Sequence, residues 1–233
     1  MDDLNFLTHA ATEDSTASLI VLLPDNAVSH IHNVAPFAIL EKCPLLYHTF
    51  EFGANAARQA NIEASSLSAV SALLRYLYTG DYLPQDERGS LINHAEVFKI
   101  AVDFDLPPLQ VQAYVNFSAG TEYACCFVTP PPELCQTIRF VYEHLASSQS
   151  RQEQSLLDTL LHYCISMLSY QGLYKHAEFR QVILDLPAFH KDLCRQSMQR
   201  NFEDDGKCRL PPIRYGFERL LLRTVSTTQA PVT

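Results

Sequence analysis

A change of hydrophobic period partway along the chain constrains this sequence more than any other feature. Up to Glu63 the apolar residues come in short runs or alternate with polar ones. From Leu67 onward they fall at helical spacing. Leu19-Ile20-Val21-Leu22-Leu23 is a continuous apolar run closed by Pro24-Asp25-Asn26, residues with turn chemistry. Val28 to His32 alternates, as a returning strand does, so the stretch reads as a β-hairpin. Pro36 then stands where a first-turn proline is tolerated, ahead of Phe37, Ile39 and Leu40. Pro44 interrupts that helix and starts another through Leu45, Leu46 and Phe50. A polar, Ala-rich loop over 53–60 leads to a short strand around Asn61-Ile62-Glu63.

Beyond this point the reading is helical. Leu67, Val70, Leu73, Leu74, Leu77 and Tyr78 share one face, with Ser65 or Ser66 placed to cap the start and Gly80 to end it. Asn93 is positioned to cap a further helix carrying Val97, Ile100, Ala101 and Phe104. Pro107 or Pro108 begins the next, which runs to about Phe117. Pro130-Pro131-Pro132 supplies no backbone donors and marks a stiff boundary. After it come the stripes of Leu134, Ile138, Val141, Tyr142 and Leu145, then Leu156 to Leu168, then Phe179 to Leu186. Phe189 and Leu193 carry a last short helix. The fold class predicted is α+β, a short β-sheet flanked by α-helices and followed by an all-α region.

Charge divides the chain along similar lines. The whole carries −9, with 17 Lys+Arg against 26 Asp+Glu. Residues 1–128 hold 5 Lys/Arg and 15 Asp/Glu, whereas residues 207–233 hold 5 and 1. The expected organisation is therefore a folded region over 15–122, a helical region over 133–206 and a basic tail over 207–233, partly disordered. In the tail, Ile213, Phe217, Leu220 and Leu221 recur at helical spacing beside Arg214, Arg219 and Arg223. A short amphipathic helix of that kind docks on the acidic body or on a partner.

Several function classes are set aside by composition. So acidic a chain is poorly suited to tracking a phosphate backbone, so no nucleic-acid partner is expected. No run of 18 apolar residues is present, so no membrane partner is expected either. Met1-Asp2-Asp3 is acidic where a secretory leader is basic, and seven cysteines show no disulfide framework. An intracellular location follows as the expectation, in the cytoplasm, the nucleus or both.

Signs of catalysis are equally scarce. His30 and His32 fall on one strand face as a possible metal pair, but no Cys or carboxylate accompanies them at ligand spacing. Cys125, Cys126 and Cys135 lack the paired spacing of a zinc site. His162 and Cys164 point apart on a helix. Phosphate-binding, nucleophile-elbow and metalloprotease motifs are lacking. No catalytic residue, cofactor or metal is predicted, and the chain reads as an interaction protein rather than an enzyme.

Three segments carry a resemblance to a known family. Leu73-Leu74-Arg75-Tyr76-Leu77-Tyr78-Thr79-Gly80-Asp81-Tyr82 looks like the hallmark helix end of BTB/POZ domains. His94-Ala95-Glu96-Val97-Phe98, leading to Asp103-Phe104-Asp105-Leu106-Pro107-Pro108-Leu109, resembles the helix pair that follows it in the family. His30-Ile31-His32, with Ala38-Ile39-Leu40 and Cys43-Pro44, is similar to the family's entry motif. The matches stand in the family's order over about 15–118. Residues 133–203 look like the helical C-terminal region common in fungal members.

This resemblance implies a self-associating protein–protein interaction module, an adaptor or scaffold forming a homodimer. It places Leu19, Val21, Ala35, Phe37 and Leu40 at or near the dimer face, together with the N-terminal Leu4, Phe6 and Leu7. The other reading of these residues is that they fill the core of the single chain. An alternative role is substrate adaptor of a cullin-based ubiquitin ligase, and a third is transcriptional regulator. Ser18 and Asn33 stand where the family has Asp and Lys, which counts against a corepressor groove. The loop 53–60 lacks the Glu of cullin-recruiting members.

Overall fold

The computed structural model describes residue 4 and residues 6–7, 17–52, 58–84, 89–146 and 151–201. The chain divides into two compact units, Met1–Gln196 and Ser197–Thr233. The described part of the second is a final stretch of helix, and all that follows concerns the first. The predicted tail helix with Ile213, Phe217, Leu220 and Leu221 lies outside the described residues.

The mixed sheet and helix content expected from the change of period is present. Strands β1 (Ala17–Leu22) and β2 (Val28–Val34) form the antiparallel hairpin. Its turn is closed by the Asp25 carboxylate, which accepts from Ala27 N–H at 3.0 Å, and by Asn26 in the left-handed region at φ 60°. Two five-residue helices follow, α1 (Pro36–Leu40) and α2 (Pro44–His48), each begun by its proline. Strands β3 (Glu51–Phe52) and β4 (Arg58–Glu63) complete a sheet of order β2-β1-β4-β3, with β1 and β4 parallel. Strand β4 starts earlier than the sequence suggests, at Arg58 within the expected loop.

Between Ala17 and Leu19 the hairpin register slips, so that Ser18 faces both His32 and Asn33. Asn33 absorbs this bulge at φ 62°, a conformation open to Asn and costly for branched residues. Ser18 Oγ and His32 Nδ1 hydrogen-bond across it at 3.0 Å.

Helix α3 (Leu67–Thr79) follows its sequence signals closely. Ser66 Oγ accepts from Ala69 N–H at 3.1 Å, and Gly80 ends the helix at φ 85°. The Lys42 ammonium donates to Leu77 C=O at 2.6 Å, adding a cation at the negative end of the helix dipole. Helix α4 (Leu91–Asp103) is capped by Ser90, whose Oγ accepts from Asn93 N–H at 3.2 Å. Asn93, the expected cap, thus sits inside the first turn. Helix α5 (Pro107–Ala124) passes the expected end at Phe117 by two turns. Gly120 lets it lie against α4, since a Cβ there would meet Leu91 Cδ2 at 2.9 Å.

The C-terminal block comprises α6 (Leu134–His144), α7 (Arg151–Met167), α8 (Ala177–Asp185) and α9 (Pro187–Asn201). A 3₁₀ turn (Leu173–Lys175) precedes α8. The regions expected at 15–122 and 133–206 do not stand apart: up to Gln196 they share one core. Polar ties cross the proline boundary. Glu133 accepts from Leu91 N–H at 3.2 Å, satisfying a donor at the start of α4. Gln171, only 6% exposed, accepts from the Tyr163 hydroxyl at 2.7 Å. Its amide donates to Ala124 C=O at 3.0 Å and to Phe127 C=O at 2.9 Å.

Among the described residues, no helix is long and apolar enough to cross a membrane.

Candidate protein-interaction surface

The register of β3 on β4 assembles the most unusual part of the surface. Phe52 on β3 pairs directly with Arg58 on β4, so both side chains leave the same face of the sheet. Helix α1 brings Phe37 to the same Arg58 guanidinium. Arg58 Cζ lies 5.2 Å from the Phe52 ring centroid and 5.3 Å from that of Phe37, within cation–π distance of both. Helix α2 adds Tyr47, whose ring is 6.2 Å from Phe37, and His48 packs edge-on against Tyr47 at 5.6 Å. Phe37 is 59% exposed and Phe52 73%, so two large rings face solvent around one cation. Contiguous exposed aromatics of this sort mark binding surfaces, where Arg and aromatic residues are enriched.

The five residues expected at a dimer face separate into two groups. Leu19 and Val21 are fully buried on the inner face of β1, and Ala35 is buried beside them in the core. Ala35 N–H donates to the Tyr78 hydroxyl at 2.8 Å. These three fill the single chain and have no free surface to offer. Phe37 and Leu40, on α1, remain solvent-facing. The N-terminal residues are likewise used internally. Leu7 is buried, and Phe6 packs on Tyr78 at 5.9 Å beneath the Arg75 guanidinium. Tyr47, Phe52 and Arg58 carry no periodic signal in the sequence: Tyr47 lies on a five-residue helix, Phe52 on a two-residue strand and Arg58 at the first position of β4.

The histidine and cysteine candidates fall elsewhere. His30 and His32 stack at 6.2 Å on the edge strand β2. Among the described residues, no group of three His, Cys, Asp or Glu is arranged to hold a metal. The six described cysteines are free. Burial raises the Cys125 and Cys164 thiols, and it pushes Cys135 up to about 11 with help from the Glu178 carboxylate. Such thiols stay protonated and are poor nucleophiles. Cys135 lines an open groove with Pro131, His176 and Phe179.

A buried polar cluster completes the survey. Asn116 donates to the Tyr82 hydroxyl oxygen at 2.9 Å, and that hydroxyl lies 2.7 Å from His94 Nδ1. The imidazole, buried among these groups, is neutral. Burial lowers His94 to about 4 and raises the Tyr82 hydroxyl. With His94 3% and Tyr82 2% exposed, the cluster has no access for a substrate and holds the fold.

No protein-family model matches the chain, and no curated protein matches it.

Proposed function

We propose that this chain is a protein–protein interaction module of the BTB/POZ type that associates with itself and serves as an adaptor or scaffold. The observation that carries the reading is the pair of solvent-facing rings, Phe37 and Phe52, around Arg58, with the half-buried Tyr47 beside Phe37. Phe37 and Leu40, two residues that the family resemblance puts at a dimer face, remain exposed on or beside it. The order of elements also supports the reading. A hairpin, two short helices, a strand parallel to the first and three longer helices make a short sheet flanked by helices. The segments 73–82 and 94–109, which carry the resemblance, form the end of α3 and the passage from α4 to α5.

The mechanism is burial of apolar surface between copies, which makes oligomeric state part of function. Sedimentation velocity or light scattering on the purified chain at micromolar concentration tests it. A dimer is expected, and a strict monomer removes the self-association.

A further inference from the structure

Arg58 is set apart from the other cations of the acidic half. Residues 1–128 contain five Lys or Arg, of which four are described. Lys99 pairs with Asp103, Lys42 caps α3 through Leu77 C=O, and Arg75 covers Phe6. Neither the Arg75 nor the Arg58 guanidinium has an ion-pair or hydrogen-bond partner among the described residues, but Arg75 lies on the half-buried Phe6, whereas Arg58 lies against two exposed rings. Glu51, its neighbour across the sheet corner, cannot serve. It precedes Phe52 on β3, so alternation sends it to the opposite face, opposite Gln59.

We infer that Arg58 is the electrostatic anchor of self-association: its guanidinium, braced by Phe37 and Phe52, receives a carboxylate from a second copy of the chain. The inference rests on the self-association proposed above and names the residue that directs it. Charge complementarity selects the occupant. Two copies at −9 each repel, and residues 1–128 carry 15 Asp and Glu against 5 cations. A second copy therefore presents carboxylates in threefold excess over cations on this half, and the contact that offsets the repulsion is one centred on a cation without an ion-pair partner among the described residues. The guanidinium presents its donors in a fixed planar fork that matches a carboxylate bidentately. The flanking rings exclude water from that contact and supply apolar area. In a two-fold arrangement the pair is made twice.

The experiment is sedimentation velocity on the full chain, comparing wild type, Arg58→Glu and Arg58→Gln across a concentration series. It is run at about 50 mM and about 500 mM NaCl, where screening differs several-fold. Far-UV circular dichroism checks that each variant is folded, and the milder Arg58→Gln keeps the test open should Arg58→Glu misfold. Wild type is expected to dimerise. Arg58→Glu should weaken dimerisation at least about tenfold at low salt and Arg58→Gln by less, and both deficits should shrink at high salt, where the lost contact is screened. A wild-type dimer whose dissociation constant and salt response survive unchanged in a folded Arg58 variant overturns the anchor while leaving self-association intact. A wild type that is monomeric throughout overturns self-association itself, and the anchor with it.

Discussion

Acidification should weaken this fold through His94, by an amount that follows from its surroundings. The imidazole is neutral, is hydrogen-bonded through Nδ1 to the Tyr82 hydroxyl and has burial as the cause of its lowered pKa of about 4. In the unfolded chain a histidine titrates near 6.5. The unfolded state thus binds the extra proton first as pH falls. The stabilisation is fully present above about 6.5, declines by about 1.4 kcal/mol per pH unit and levels off below about 4. The interval amounts to about 3 kcal/mol in total, of which about 2 kcal/mol is lost by pH 5. His94 is 3% exposed, so solvent screening removes little of this. Other groups titrate in the same range. Burial raises the Glu96 carboxyl, which opposes the loss, and the Arg139 and Gln181 side chains lower Asp185. Comparison with His94→Gln, which keeps a hydrogen-bond partner for Tyr82, cancels both. The chain has no Trp, so urea unfolding is followed by far-UV circular dichroism, at about pH 7.5 and about pH 5. Wild type should lose about 2 kcal/mol more than the variant between these conditions. Parallel losses in the two proteins would refute the assignment of His94 as a buried neutral group.

Two further outcomes concern the ties and bends of the backbone. Gln171→Ala removes three hydrogen bonds and strands the Tyr163 hydroxyl with two carbonyls, at a cost of about 3 kcal/mol. Tyr163→Phe, which removes one of them, should cost about 1 kcal/mol in the same urea series. At the hairpin bulge, Asn33→Gly should be tolerated without loss, while Asn33→Val should cost about 1–2 kcal/mol because of the positive φ. Thermal melting midpoints of the two variants separate them.

Where a signal is local, the sequence is enough. Helix α3 is readable in full because its stripe, its serine cap and its terminal glycine are all set within a few residues of one another. The cap of α4 is misplaced from Ser90 to Asn93 because both are good caps, and the apolar stripe begins only at Val97. Helix α5 looks shorter than it is because Ser118, Ala119, Gly120 and Thr121 carry little hydrophobic signal. At Gly120 the missing side chain is what allows close packing on α4. The interaction surface was only half legible. An unbroken apolar run does not reveal which face of β1 is covered, so Leu19 and Val21 could not be told from surface residues. Phe37 and Leu40 emerged through family resemblance rather than periodicity. The bracket around Arg58 depends on a strand pairing between Phe52 and Arg58 and on a helix that approaches from elsewhere in the chain. No spacing rule encodes that.

The proline stretch at 130–132 has a consequence for how such a protein can be inherited. It resembles the edge of an interchangeable part, and the charge balance changes beside it. Yet Glu133 completes the first turn of α4, and Gln171 closes the end of α5 from the far side. A gene fusion or deletion made at the prolines would separate donors from acceptors and open a shared apolar core. Recombination that keeps a working fold must therefore carry residues 17–196 together. The unit that duplicates, fuses or drifts as one is nearly twice the length of the segment that carries the family resemblance.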